Sequence, residues 1–81
     1  MPRISKLLSM IIYMYADEHN PPHFHVLYNG RDTLVEIKSL KIIGDLPAKK
    51  KKAIKIYAIE NREALLQNWM LLEQGKRPKK I

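Results

Sequence analysis

The dipeptide Asn29-Gly30 places the strongest constraint on what this chain can fold into. Asn-Gly favours the two-residue type I′ turn, because both residues tolerate positive φ, and such a turn joins antiparallel strands directly. The flanking segments, 23–28 and 31–38, are rich in β-branched and aromatic residues, which predicts a hairpin. The turn also fixes the register, so that His23 faces Glu36 across the pair. One face of the hairpin is then apolar, and the opposite face carries polar side chains and the histidines.

The rest of the chain supplies further strands and a helix. Residues 8–15 form an apolar run that predicts another strand, and residues 41–43 predict a short one. Apolar residues at i, i+3, i+4 and i+7 spacing predict one long helix over 47–74, with Asn61 as the point where it could bend. We therefore expect an α+β fold, in which a three- to four-stranded antiparallel sheet carries one long C-terminal helix on one face.

The predicted fold has one core, between the sheet and the helix. Residues 1–75 would form this single domain, and residues 76–81 a basic C-terminal tail. The period-2 apolar face of the hairpin and the period-3.6 face of the helix have only each other to bury against. The residues expected to share that core are Phe24, Val26, Val35, Tyr57, Leu65 and Trp69.

A chain of 81 residues without cysteine has a marginal core of its own. The stabilisers that remain are a bound metal, a partner chain or very regular packing. The first predicted strand is apolar on both faces, and one helix covers only one of them. We therefore expect its second face, near Ile11, Tyr13 and Tyr15, to be covered by another chain in a homo- or hetero-oligomer.

Charge is the second compositional signal. Fifteen Lys and Arg residues against eight Asp and Glu give a net charge of +7, which attracts polyanions, RNA among them. The expected nucleic-acid-binding residues are Arg3, Lys6, Lys49, Lys50, Lys51 and Lys52. The apolar run 7–15 is too short to cross a bilayer as a helix, so we expect no membrane association and a cytoplasmic location.

All the histidines of the chain lie between positions 19 and 25, beside Pro21 and Pro22. His23 and His25 are two residues apart on a predicted strand, so both rings should lie on one side of the sheet, away from the helix. The candidate catalytic residues are His19, His23, His25 and Glu36.

Three interpretations of this histidine cluster remain open. In the first, the candidate catalytic residues do acid/base work on a phosphodiester, and no cofactor is required. In the second, His23 and His25 bind a divalent metal together with His19 or a carboxylate. In the third, the histidines are structural and hydrogen-bond the proline-rich loop or a partner.

Several segments of the chain together resemble a known family. They are Met1-Pro2-Arg3-Ile4-Ser5, Ile12-Tyr13-Met14-Tyr15, His19-Asn20-Pro21-Pro22-His23-Phe24-His25-Val26, Leu46-Pro47, Asn61-Arg62-Glu63-Ala64-Leu65 and Asn68-Trp69. On these residues the chain resembles domain-of-unknown-function family 4160 over nearly its whole length. The resemblance implies a small prokaryotic protein, often encoded beside a member of domain-of-unknown-function family 2442, in a candidate toxin–antitoxin module.

The expected function is therefore a toxin component that cleaves or binds RNA through the histidine cluster and is neutralised by a cognate small protein from a neighbouring gene. The alternative is a non-catalytic protein- or metal-binding module, in which the histidine-rich loop is structural or holds a divalent metal.

Overall fold

The computed structural model describes residues 3–16 and 18–81. Within them, five strands form one antiparallel sheet in sequence order, and two helices follow. The elements are β1 (Arg3–Leu7), β2 (Met10–Tyr13), β3 (His23–Tyr28), β4 (Arg31–Glu36), β5 (Ile42–Ile43), α1 (Ala48–Glu60) and α2 (Arg62–Glu73). The α+β class and the antiparallel sheet are confirmed. The prediction of three to four strands and one long helix is wrong in its detail.

The segment predicted as one strand over 8–15 contains a turn and then β2. β1 and β2 pair antiparallel, and Leu8 and Ser9 connect them with φ values of 47° and 66°. Positive φ at both turn positions is the geometry that Asn and Gly adopt readily and that leucine rarely adopts. Because leucine and serine give no signal for such a turn, the sequence predicts neither the turn nor β1.

The hairpin at Asn29-Gly30 is confirmed in position and register. Both turn residues have positive φ, at 54° and 75°, and His23 pairs with Glu36. β4 ends at Glu36, two residues before the predicted end, because the chain turns there and the Leu40 N–H donates to the Glu36 carbonyl. β5 lies inside the segment predicted as a short fourth strand.

The helical segment is interrupted at Asn61, so the expected bend is a break between α1 and α2. Asn61 has φ −116° and ψ 21°, and its side-chain amide donates to the Tyr57 carbonyl at 3.0 Å. The Asn61 backbone N–H donates to the same carbonyl, also at 3.0 Å, so the last helical hydrogen bond of α1 is kept while the dihedral angles of Asn61 leave the helical range. The Arg62 guanidinium donates to the carbonyls of Ile37 and Lys38, both at 3.3 Å, which ties the start of α2 to the segment that follows β4.

The core lies between one face of the sheet and the two helices. All the residues predicted to share it are buried members of one cluster, and the Phe24 and Tyr57 rings meet edge to face at 6.0 Å. Tyr13, expected at an interface with another chain, is only 3% exposed and is covered by its own chain. Neither helix of the described segments is long and apolar enough to cross a membrane.

Candidate metal centre

His23 and His25 come together because they stand two positions apart on β3 and so share a face of the sheet. Their ring centroids are 5.3 Å apart. The His23 residue is 6% exposed, and the His25 side chain is 12% exposed. Two largely buried imidazoles in contact need polar partners, because a buried polar atom without one is costly.

Glu18, in the loop before β3, is the carboxylate that both rings face. Its Oε1 lies 2.6 Å from His25 Nε2 and 3.6 Å from His23 Nε2. One potential ligand atom from each of the three residues lies within 4.8 Å of the others. From the sequence, Glu36 is the carboxylate expected beside the histidines, and Glu18 is not predicted.

His23 Nδ1, the ring nitrogen that does not face Glu18, makes a hydrogen bond that fixes the tautomer of the ring. His23 Nδ1 lies 2.9 Å from the Pro21 carbonyl, which can only accept, so Nδ1 carries the proton. In the neutral ring the Nε2 is then a lone pair, and this buried atom has no hydrogen-bond partner. The Asn20–Pro21 peptide of the same loop is cis.

His25 lies between two carboxylates. Its Nδ1 is 3.5 Å from Asp32 Oδ2, which is too long for a direct hydrogen bond. The other oxygen of Asp32 accepts a 2.5 Å hydrogen bond from the Tyr13 hydroxyl. Burial is the main reason why the pKa of Tyr13 is raised, and the hydrogen bond to Asp32 raises it further, so the phenol stays protonated. Asp32 is thereby held 3.5 Å from His25 Nδ1, where a small movement would form the histidine–carboxylate hydrogen bond that metal-binding histidines usually make.

The electrostatics of the cluster keep Glu18 ionised. Burial alone would raise the pKa of the Glu18 carboxyl, but the hydrogen bond from His25 and the charges of His25 and His23 together lower it. An ionised carboxylate beside two imidazoles matches the three protein ligands of many catalytic zinc sites.

His19 and Glu36 lie close to this cluster but outside the three-residue group. Both line a cleft of about 310 Å³ that also contacts Glu18 and His23. His19 is exposed, and the Glu36 carboxylate accepts a 2.6 Å hydrogen bond from Ser39. The predicted pairing of Glu36 with His23 therefore holds for the backbone register, while the hydrogen-bond partners of the two side chains lie elsewhere.

The prediction that both rings stand away from the helices is wrong for His23. By register it lies on the face opposite Phe24, but its ring centroid is 5.0 Å from that of Trp69 in α2. His23 begins β3, at the end of the sheet, where an indole from α2 reaches it. The contact shields His23 from water and holds its ring in place.

The basic residues selected from the sequence are dispersed. Arg3 and Lys6 are exposed on β1, and Lys49, Lys51 and Lys52 are exposed on α1. Lys50 is engaged internally: its ammonium donates to the Leu8 carbonyl at 2.9 Å and lies 5.4 Å from the centre of the Tyr28 ring.

Fold and site together define a small α+β domain with a two-histidine, one-carboxylate cluster at one end of its sheet. The chain belongs to the family described as Domain of unknown function (DUF4160), whose model matches residues 10–70. The matched segment contains all the residues of the cluster. The searches of curated proteins and of solved structures found no match to the chain.

Proposed function

We propose that this protein binds a divalent transition-metal ion through Glu18, His23 and His25. One observation carries the proposal: three potential ligand atoms converge within 4.8 Å, and one of them, His23 Nε2, is buried without a hydrogen-bond partner. Glu18 Oε1 lies 3.6 Å from this nitrogen, too far for a hydrogen bond, so a cation between them would give both atoms a partner. Two histidines and a carboxylate suit Zn²⁺ or Fe²⁺.

The spacing of the donors agrees with this assignment after a small adjustment. Tetrahedral ligands at about 2.1 Å from a metal lie roughly 3.4 Å from one another. Glu18 Oε1 and His23 Nε2, at 3.6 Å, are already near that separation. His25 Nε2, at 2.6 Å from the same oxygen, holds a hydrogen bond in place of the metal and has to move by roughly 0.8 Å. Metal binding therefore displaces a proton from this pair.

Three protein ligands leave a tetrahedral ion one open position, which is the pattern of catalytic sites. The cleft lined by His19 and Glu36 adjoins Glu18 and His23, so it gives a small molecule access to that position. A metal held here would polarise a bound oxygen or activate a water. His19, exposed at the cleft wall, would then exchange protons with the molecule bound there.

Titration calorimetry of the metal-free chain with ZnCl₂ tests the proposal. We expect one ion per chain, and a loss of that binding in His25→Ala. His19→Ala is the matched control, because it removes an imidazole from the same loop region without touching the donor set. Equal loss in both variants, or binding that persists in His25→Ala, would show that the ion lies elsewhere.

A second candidate is the cytoplasmic toxin component that cleaves RNA by acid/base chemistry. What favours it is His25, whose Nε2 forms a 2.6 Å hydrogen bond with Glu18 and whose Nδ1 lies 3.5 Å from Asp32, the carboxylate that accepts from Tyr13. A general base needs its imidazole oriented by a partner in this way. RNA cleavage that continues in excess chelator and disappears in His25→Ala would favour this candidate over the metal. Growth arrest on expression of the chain, relieved by its cognate neighbouring protein, would support the toxin assignment.

A further inference from the structure

The C-terminal tail, residues 76–81, is fixed against the domain. The buried amide of Asn68 makes two hydrogen bonds to the Lys79 main chain, accepting from its N–H and donating to its carbonyl, both at 2.8 Å. The Ile81 N–H donates to the Ile4 carbonyl at 2.8 Å, so the end of the tail meets β1. The basic side chains of the tail are therefore presented at defined positions.

The position of Arg3 on the sheet is set by a β-bulge in β1. The register shifts between Arg3 and Ser5, so that Arg3 faces Tyr13 while Ile4 is buried in the core. A bulge re-aims the side chains around it. Because Tyr13 in turn faces His25, Arg3 belongs to the cross-strand row that contains the metal centre.

Arg3 and the tail line a cleft of about 530 Å³. Its cationic lining residues are Arg3, Lys76, Arg77 and Lys80. Among residues 3–16 and 18–81, no carboxylate lies within 4 Å of any of these cations, whereas Arg31 pairs with Asp45. Cations gathered around a concavity without a counter-charge attract anions strongly.

We propose that this cleft binds the phosphates of single-stranded nucleic acid. Arginine forks bind phosphate oxygens bidentately, and a concave basic groove accepts a single strand. Tyr15 does not line the cleft; its ring is partly exposed and contacts Tyr13 edge to face at 5.2 Å and His25 at 5.0 Å, on the side of the metal centre. A strand that leaves the cleft along the row from Arg3 to Tyr13 would meet this ring and stack a base on it, whereas an acidic protein would use only the charges.

The test measures binding of a labelled single-stranded RNA and a DNA of the same sequence to the full-length, metal-free chain by fluorescence anisotropy. The cleft variant carries Arg3→Gln, Arg77→Gln and Lys80→Gln. The control carries Lys38→Gln, Lys41→Gln and Lys55→Gln, which removes the same charge from exposed positions that do not line the cleft. In the cleft variant we expect the slope of log affinity against log salt to become shallower by about 2, and in the control by much less.

Each result of this experiment supports or overturns the binding of single-stranded nucleic acid at the cleft. Equal affinity for RNA and DNA would indicate recognition of the phosphate backbone, and tighter binding of RNA would indicate contact with the 2′-hydroxyl. Either result supports binding of single-stranded nucleic acid at the cleft. Equal weakening of the two triple variants, absence of binding by the parent chain, or equally tight binding of poly-glutamate would overturn it. If the cleft variant does not fold, Arg77→Gln alone should reduce the slope by about 0.7. Because metal-free protein is used, failure here leaves the proposed metal centre standing.

Discussion

Replacing Glu18 by Gln should remove most of the stabilisation that zinc gives this protein. An ion that binds only the native state stabilises it by about 2.7 kcal/mol when its free concentration is 100 times Kd. For a domain of this size, 1 kcal/mol corresponds to roughly 4–8 °C in Tm, so zinc should raise the Tm of the parent chain by roughly 11–22 °C. Glu18 is the donor that both imidazoles face, at 2.6 and 3.6 Å, so its loss leaves only two ligands.

The zinc-induced rise in Tm expected for Glu18→Gln is calculated in the same way as that of the parent chain. Even outer contacts of a metal site alter affinity by roughly 10- to 100-fold, so losing a direct ligand should weaken binding by at least about 100-fold. At the same zinc concentration Glu18→Gln then gains no more than about 0.4 kcal/mol, or about 3 °C. Circular-dichroism melts with and without zinc measure this difference. Glu36→Gln is the matched control, since its carboxylate lines the same cleft but bonds Ser39. A zinc shift equal in Glu18→Gln and the parent chain would refute the reasoning.

Three further predictions concern stability. Asn68→Ala should lower the free energy of unfolding by about 1–3 kcal/mol, because two hydrogen bonds to Lys79 are lost from a residue that is 1% exposed; an unchanged urea midpoint would contradict this. Gly44→Ala should also destabilise, because Gly44 has φ 135° and a Cβ there would lie 2.8 Å from Thr33 Oγ1; a Tm equal to that of the parent would show that the backbone adjusts freely. The lowered pKa of Glu18 contributes stability above its ordinary value of 4.5 that is lost as the pH falls through the folded-state pKa. Glu18→Gln should therefore flatten the acid limb of stability against pH, and coincident acid limbs would argue against the ionised carboxylate.

The strands could be predicted where a local signal determined them. Asn29-Gly30 combines residues that tolerate positive φ with flanking β-branched segments, and both the strand limits of β3 and the register followed. The turn at Leu8 and Ser9 has the same sign of φ without such residues. It is held by the pairing of β1 with β2 and by burial of Ile4 and Met10, which are tertiary effects that no local pattern reveals.

The site was partly predictable for a similar reason. The period of two along a strand puts His23 and His25 on one face, and that placement needs only the strand itself. Glu18 lies in an irregular loop, where no periodicity relates a side chain to the sheet. For Glu36, strand register correctly predicts a backbone neighbour of His23 but not the side-chain contact, because the Glu36 carboxylate accepts a hydrogen bond from Ser39 instead. The sequence signal for Glu18 was a carboxylate just before a stiff Pro21-Pro22 loop that leads into the histidine strand.

The helix break has a physical cause that the apolar pattern conceals. The stripe of buried residues continues from Tyr57 through Leu65, so periodicity alone predicts an unbroken helix. The break lies at Asn61, whose dihedral angles leave the helical range although its backbone N–H still donates to the Tyr57 carbonyl. The next residue, Arg62, bonds the carbonyls of Ile37 and Lys38 just after β4, and a long-range contact of this kind leaves no trace in the local sequence pattern.

Anomalous diffraction at the zinc edge, from crystals of the chain grown with Zn²⁺, tests the central claim most directly. We predict one strong peak per chain, at roughly 2.0–2.2 Å from His23 Nε2, from His25 Nε2 and from an oxygen of Glu18. We also predict that Nδ1 of His23 keeps its bond to the Pro21 carbonyl while the metal is bound. A peak at His19 or Glu36 alone, or no peak while the direct His25–Glu18 hydrogen bond persists, would contradict it.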